Sequence, residues 1–172
     1  EIGLMDDVLR ENGLLSLESP YNAETGYTYM NNSDGVFIAD SSILTRTGNN
    51  AISDWVFLEL RSAVNPDSVV ANQSALLQRD GDIVDMDGLS PVRFRSMAVT
   101  EEQCYLTVRH YEHYPVMTSD SFALSTSEDL IDFTTAIHTS YNQIHFNQTN
   151  LGNGVFGLSC IEDNPTICPI PE

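Results

Sequence analysis

Residues 76–113 constrain the fold more than any other stretch of this chain. There LLQRDGDIVDMDGLSPVRFRSMAVTEEQCYLTVRHYEH is broken at Asp80-Gly81, Asp87-Gly88 and Pro91 into short apolar segments. Asx-Gly pairs between apolar runs mark tight turns between antiparallel strands, because glycine accepts the positive φ that such turns demand. Two of the segments alternate. Val92 and Phe94 oppose Arg93 and Arg95, and Cys104, Leu106 and Val108 oppose Tyr105, Thr107 and Arg109. A period of two sends each set to one face of a pleated strand. The spacing predicts a β-meander folded over a core, with strands at 92–95 and 104–109.

The neighbouring segments extend the pattern. The most strongly patterned strand is 51–61 (AISDWVFLELR), where Val56, Leu58 and Leu60 share one face and Trp55 and Phe57 the other. A strand apolar on both faces is covered on both. One face should meet an opposing sheet, and the other an N-terminal helix or the long early loop. Leu4, Met5, Val8 and Leu9 predict that short helix within 3–13, with Gly13 ending it. Residues 14–35 read as an irregular connection and 36–44 as a strand. Turns are expected at Gly48-Asn49-Asn50 and Asn65-Pro66-Asp67, and a hairpin of 69–79 with 82–86 around Asp80-Gly81. Residues 110–118 lead through Pro115 into a further strand expected near 122–124, and other short strands are expected at 131–133, 144–146 and 155–158. Many short strands with regular turn signals predict a mainly β chain. The expected fold is an antiparallel Ig-like or transthyretin-like β-sandwich with a short N-terminal helix. The expected organisation is one domain over 1–172, with 134–172 as a polar C-terminal extension.

Charge narrows the partners. The formal net charge is -18, with 25 acidic residues against 7 basic ones, all of them arginine. Phosphate-backbone binding needs clustered cations, so nucleic acid is an unsuitable partner, and anionic membrane surfaces are disfavoured for the same reason. The lack of lysine removes Schiff-base chemistry and phosphate binding by a P-loop lysine. No apolar run approaches the roughly 18–20 residues that span a bilayer. The chain opens at Glu1 without a charged-then-apolar leader, so any export signal is expected to have been removed. Such an acidic surface suits an exported protein and attracts divalent cations.

Three cysteines are present. Cys160 and Cys168 bracket a short Asp163-Asn164-Pro165 turn, where a disulfide would staple the tail and contribute ~2–3 kcal/mol. Cys104 then reads as a buried thiol acting as a small hydrophobe. Pairing of Cys104 with one of the tail cysteines is the alternative.

The blocks GLMDDVLRENGLLSLESPY, DWVFLELR, SALLQRDGDIVDMDGLSPVRF and VRHYEHYPVMT, taken in order across 3–133, resemble a domain recurring in large secreted surface proteins of Bacteroidetes and related bacteria, often labelled haemagglutinin-like or sorting-domain proteins. The strand ending in YLTVRH is similar to transthyretin-like and carboxypeptidase-regulatory-like sandwich modules. This chain departs from the family pattern in three places. It has Cys104 where members usually carry an aromatic, and a cysteine-bearing tail where they carry a calcium-loop tail. It also begins almost at the GLM block, before which members place a strand. The resemblance implies an extracellular scaffold or adhesin and transfers no catalytic residue. A sheet edge left open by the missing strand is a template for pairing. The expected partners are therefore copies of the same chain or other domains of a surface protein. The N-terminal segment or the polar tail would donate a strand and build a filament. The alternative is a calcium- or carbohydrate-binding module of a larger secreted protein.

Several residues are candidates for such binding. Asp80, Asp82, Asp85 and Asp87 are clustered carboxylates of the kind that supply oxygens to calcium. Their spacing is not that of an EF-hand, and turn chemistry explains Asp80 and Asp87 equally well. His110, Glu112 and His113 match no zinc-protease signature. The two histidines can share a surface metal or simply hydrogen-bond each other. His138 and His145 have no companion spacing. Tyr21, Tyr27, Tyr29 and Trp55 can form either a sugar-stacking platform or core. Asn31, Asn72 and Asn147 head N-x-S/T triplets, which an Asn-rich surface produces by chance. No GxSxG elbow, Gly-rich phosphate loop or CxxC is present, and nothing singles out a catalytic residue.

Overall fold

The computed structural model describes residues 4–30, 36–38, 40–94, 103–111, 113–124, 130–134, 148–152 and 155–158. The chain is mainly antiparallel β with little helix. It divides into two compact units, 1–58 with 71–98, and 59–70 with 99–172. Cys160, Cys168, His138, His145, Glu112, Arg95 and the strand expected at 144–146 lie outside the described residues.

In the first unit the strand order is β3-β2-β1 (β3 Ile83–Val84, β2 Val69–Gln78, β1 Ile52–Ser62), the ends of β1 and β2 running on into the second unit. The expected hairpin forms around Asp80-Gly81, with Leu76 opposite Val84 and Leu77 opposite Ile83. Gly81 has φ 99 and its N–H donates to the Gln78 carbonyl at 3.0 Å. That is the left-handed turn geometry glycine permits. β1 is buried on both faces: Trp55, Val56 and Phe57 are each 1% exposed, and Leu58 is 3%. The early loop, not the N-terminal helix, covers the Trp55/Phe57 face. Tyr21, Tyr27 and Tyr29 surround the Phe57 ring at centroid distances of 5.6, 5.0 and 5.4 Å. Polar tethers hold the loop in place. The Tyr21 hydroxyl donates to the Trp55 carbonyl at 2.9 Å, and Trp55 Nε1 donates to the Ser16 carbonyl at 3.0 Å. Ser19, Tyr29 and Ser74 close a triangle of hydroxyls, with Ser74 Oγ 2.6 Å from Ser19 Oγ and 2.5 Å from the Tyr29 hydroxyl.

Four local expectations are corrected. The helix is a single turn, α1 (Val8–Glu11), that buries no residue. Val8 and Leu9, two residues of the expected apolar stripe, are 47% and 42% exposed. Residues 36–44 do not form a strand: Phe37 makes one bridge to Glu18, and Ser41–Thr45 is a 3-10 turn. Asp40 starts that turn by accepting the Ser42 N–H at 2.8 Å, an N-cap that outweighs the strand preference of Ile43. Nor are 92–94 and 131–133 strands. Pro91 makes one bridge to Val84, and lacking an N–H it cannot continue a ladder.

In the second unit the order is β1-β4-β5, and β6 follows β5 along β4 (β4 Gln103–His110, β5 His113–Met117, β6 Phe122–Ala123). Thr107 opposes Met117 and Cys104 opposes Phe122. Thr118 bridges the gap between β5 and β6, its N–H donating to the Leu106 carbonyl at 2.9 Å. Cys104 is a thiol at 0% exposure, on the core face as expected and not part of a disulfide. A separate hairpin pairs β7 (Gln148–Gly152) with β8 (Val155–Leu158). Thr107 is the exception to polar satisfaction among the described residues: its Oγ1 is buried and has no hydrogen-bond partner. A buried hydroxyl left unpaired costs free energy that a methyl does not. Thr107→Val is therefore expected to raise stability by about 1 kcal/mol, read as a higher urea midpoint with unchanged m-value.

Candidate functional site

The four aspartates of the expected calcium cluster are distributed over two turns. Asp80 accepts the Asp82 N–H at 3.3 Å, and Asp85 accepts the Met86 N–H at 2.7 Å. Asp87 Oδ1 accepts the N–H groups of Leu89 and Ser90 at 2.9 and 2.8 Å, and Oδ2 the Ser90 hydroxyl at 2.5 Å. Asp85 is buried, whereas Asp80, Asp82 and Asp87 are exposed. Among the described residues no group of three or more His, Cys, Asp or Glu side chains comes together to hold a metal ion. The geometry is that of turn chemistry. Gly88, at φ 70, completes the second turn, and its carbonyl accepts from Arg46 Nη1 at 2.7 Å and from Gln78 Nε2 at 3.1 Å.

Those Ser90 and Leu89 hydrogen bonds lower the Asp87 pKa from 3.8 to about 2. A depressed carboxylate stabilises the fold fully above its unfolded value and loses that contribution as pH falls through the folded one. Asp87→Asn is thus expected to be less stable than wild type above about pH 4 and equal to it below about pH 2. Because Asp87 faces water, the difference at pH 7 should be on the order of 1 kcal/mol or less. Urea midpoints of both proteins across that range provide the check.

The aromatic residues form core and no platform: Tyr21 and Trp55 are each 1% exposed and Tyr27 is 9%. Asn72 is likewise occupied, its side chain donating to the Thr28 carbonyl at 2.8 Å and accepting the Met30 N–H at 2.9 Å. It is buried, which removes it as a glycan acceptor. Asn31 and Asn147 lie outside the described residues.

The use of the arginines had no signal in the sequence. In the first unit the buried Asp7 carboxylate is shared between Arg10 and Arg79, the latter with Nε at 3.3 Å. In the second unit the buried Glu59 accepts from Arg61 Nη2 at 2.5 Å and from Arg109 Nη1 at 3.0 Å. Glu59 and Arg61 are i and i+2 on β1, hence on one face, and Arg109 reaches Glu59 from β4. With so few cations in a chain of net charge -18, these arginines neutralise carboxylates that the fold has buried.

One pair of side chains meets with chemistry beyond packing. His110 ends β4 and His113 begins β5, and the register places them opposite each other across the turn. Their Nδ1 atoms are 2.7 Å apart and their rings meet edge to face at 4.6 Å. The ladder register shifts between Val108 and His110. Both rings are half-buried.

No protein-family model, curated protein or solved structure matches this chain. Among the described residues no helix is long and apolar enough to cross a membrane.

Proposed function

We propose that this chain is a non-enzymatic structural module of an exported or cell-surface protein, a filament or adhesin subunit that assembles with copies of itself through strand pairing. The resemblance of the 3–133 blocks to secreted surface domains supports the setting, and closure of the β-elements into an Ig-like or transthyretin-like sandwich belongs to the same reading. The observation that carries the assembly mode is the β7–β8 hairpin. It is a two-stranded ribbon that joins no larger ladder among the described residues. β8 lies against β5, yet a ladder of only two strands gains from a further one. By contrast, β3 is two residues long and followed by the Pro91 bridge, and β5 carries Pro115. Both are features that blunt a sheet edge. Pairing therefore runs through the hairpin in the polar C-terminal part of the chain.

Light scattering on a sizing column and negative-stain microscopy test this reading. Wild type should form concentration-dependent oligomers or fibres, and Thr149→Pro, which removes a strand N–H, should be monomeric with an unchanged core circular-dichroism spectrum. A wild-type chain that stays monomeric at every concentration overturns the proposal.

A further inference from the structure

We propose that His110 and His113 form a bidentate site for a late first-row divalent metal ion, copper(II) above all, at the β4–β5 turn. The site is independent of the assembly reading.

Imidazole nitrogens bind such ions at about 2.0–2.1 Å, so two nitrogens on one ion lie about 2.9 Å apart at a right angle and about 3.3 Å apart at the tetrahedral angle. The Nδ1 atoms are already at 2.7 Å, nearer to the right-angle value. Square-planar and tetragonal coordination, the preference of copper(II) and nickel(II), thus needs less movement than a tetrahedral site. Nitrogen donors also exclude calcium and magnesium, which take oxygen.

Both histidines sit on strands paired nearby by Val108, two residues before His110, opposite Val116, three residues after His113, which are 3% and 1% exposed. The backbone therefore holds the donors together before the ion arrives, and the ordering cost of binding is small. The net charge of -18 raises the local concentration of cations. The pair itself supplies two of the ion's donors.

The proton balance is simple. In the hydrogen bond between the rings one Nδ1 carries the proton and the other accepts it. On binding, the shared proton leaves Nδ1 and the same ring carries one on Nε2. The N–H···N hydrogen bond is lost, two metal–nitrogen bonds form, and the proton count of the pair is unchanged.

The test is titration of the full chain with copper(II) chloride, followed by electron paramagnetic resonance and by ring-proton NMR. The expected result is one tight equivalent showing nitrogen hyperfine coupling, with the His110 and His113 ring signals broadened first at substoichiometric copper. His110→Asn and His113→Asn should each weaken binding by on the order of a hundredfold, since each leaves a single donor. The double variant His138→Asn/His145→Asn should bind as wild type. Calcium at the same concentrations should leave the ring signals unmoved. Equal affinity in all variants, or loss confined to the His138/His145 variant, overturns the proposal. If the single variants do not fold, the wild-type broadening decides: first broadening at other rings, or none, overturns it.

Discussion

Phe57→Ala is expected to destabilise the first unit by about 3–5 kcal/mol, the range for deleting a buried aromatic ring from a packed core. The ring is 1% exposed and touched by Tyr21, Tyr27 and Tyr29. Its loss removes the surface onto which the early loop folds. Collapse of the surrounding rings into the space is resisted by their tethers. The Tyr21 hydroxyl is held by the Trp55 carbonyl and the Tyr29 hydroxyl by Ser74. A cavity that cannot close is the costly kind. Phe57→Leu, which keeps much of the volume, should lose far less. Urea unfolding followed by Trp55 fluorescence reads both, because Trp55 is the only tryptophan and lies in the same cluster. A loss below about 1 kcal/mol for Phe57→Ala would show that the loop does not pack on β1 as described.

Asp7→Ala is expected to cost about 3 kcal/mol, despite lying beside a one-turn helix on the surface. The Asp7 and Arg10 side chains are 7% and 8% exposed. Removing the carboxylate leaves the Arg10 guanidinium with the Leu44 carbonyl at 3.2 Å and only the exposed Glu11 carboxylate, at 3.6 Å, as counter-charge. Breaking a buried pair from one side strands a charge, which is more damaging than never having had the pair. The hydrogen bond from Arg10, more than the charges of Arg10 and Arg79, holds the Asp7 carboxyl below its usual range. The sign follows: its contribution is complete above about pH 4 and fades as the carboxyl is protonated in more acid solution. Asp7→Ala and wild type should therefore converge in stability at low pH. Arg10→Met, which removes the partner charge and keeps the apolar stem, should restore part of the loss in the double variant. A double-mutant cycle measures that coupling.

Much of the scaffold was legible because it rests on signals local to a few residues. The alternation of 51–61 placed β1 within one residue of its observed ends, Ile52 and Ser62. Asp80-Gly81 placed the β2–β3 hairpin, and period-two burial put Cys104 inside. The doubly apolar Trp55/Phe57 strand implied a cover, and the early loop supplies it. Elsewhere short-range pattern misled. Val92 and Phe94 alternate with arginines, yet the proline before them ends the ladder after one bridge. Residues 36–44 contain enough β-branched and aromatic character for a strand, but Asp40 caps a 3-10 turn instead. In one place a missing backbone N–H, in the other an added carboxylate acceptor, outweighed side-chain preference.

What the candidate sites do was less legible, because sites depend on which side chains converge. The sequence by itself determined composition, turn positions, the central strand and the burial of Cys104, since each follows from φ preference or from a period of two along one segment. Only the tertiary structure decided that Asp85 is buried while Asp80, Asp82 and Asp87 are exposed, and that Asp7 and Glu59 are each shared by two arginines. It also decided that His110 and His113 meet at Nδ1 across a strand register. Those outcomes join residues that are distant along the chain or differently oriented within it. Spacing in sequence carries no information about the last few ångströms between side chains, where hydrogen bonds and ion pairs are made.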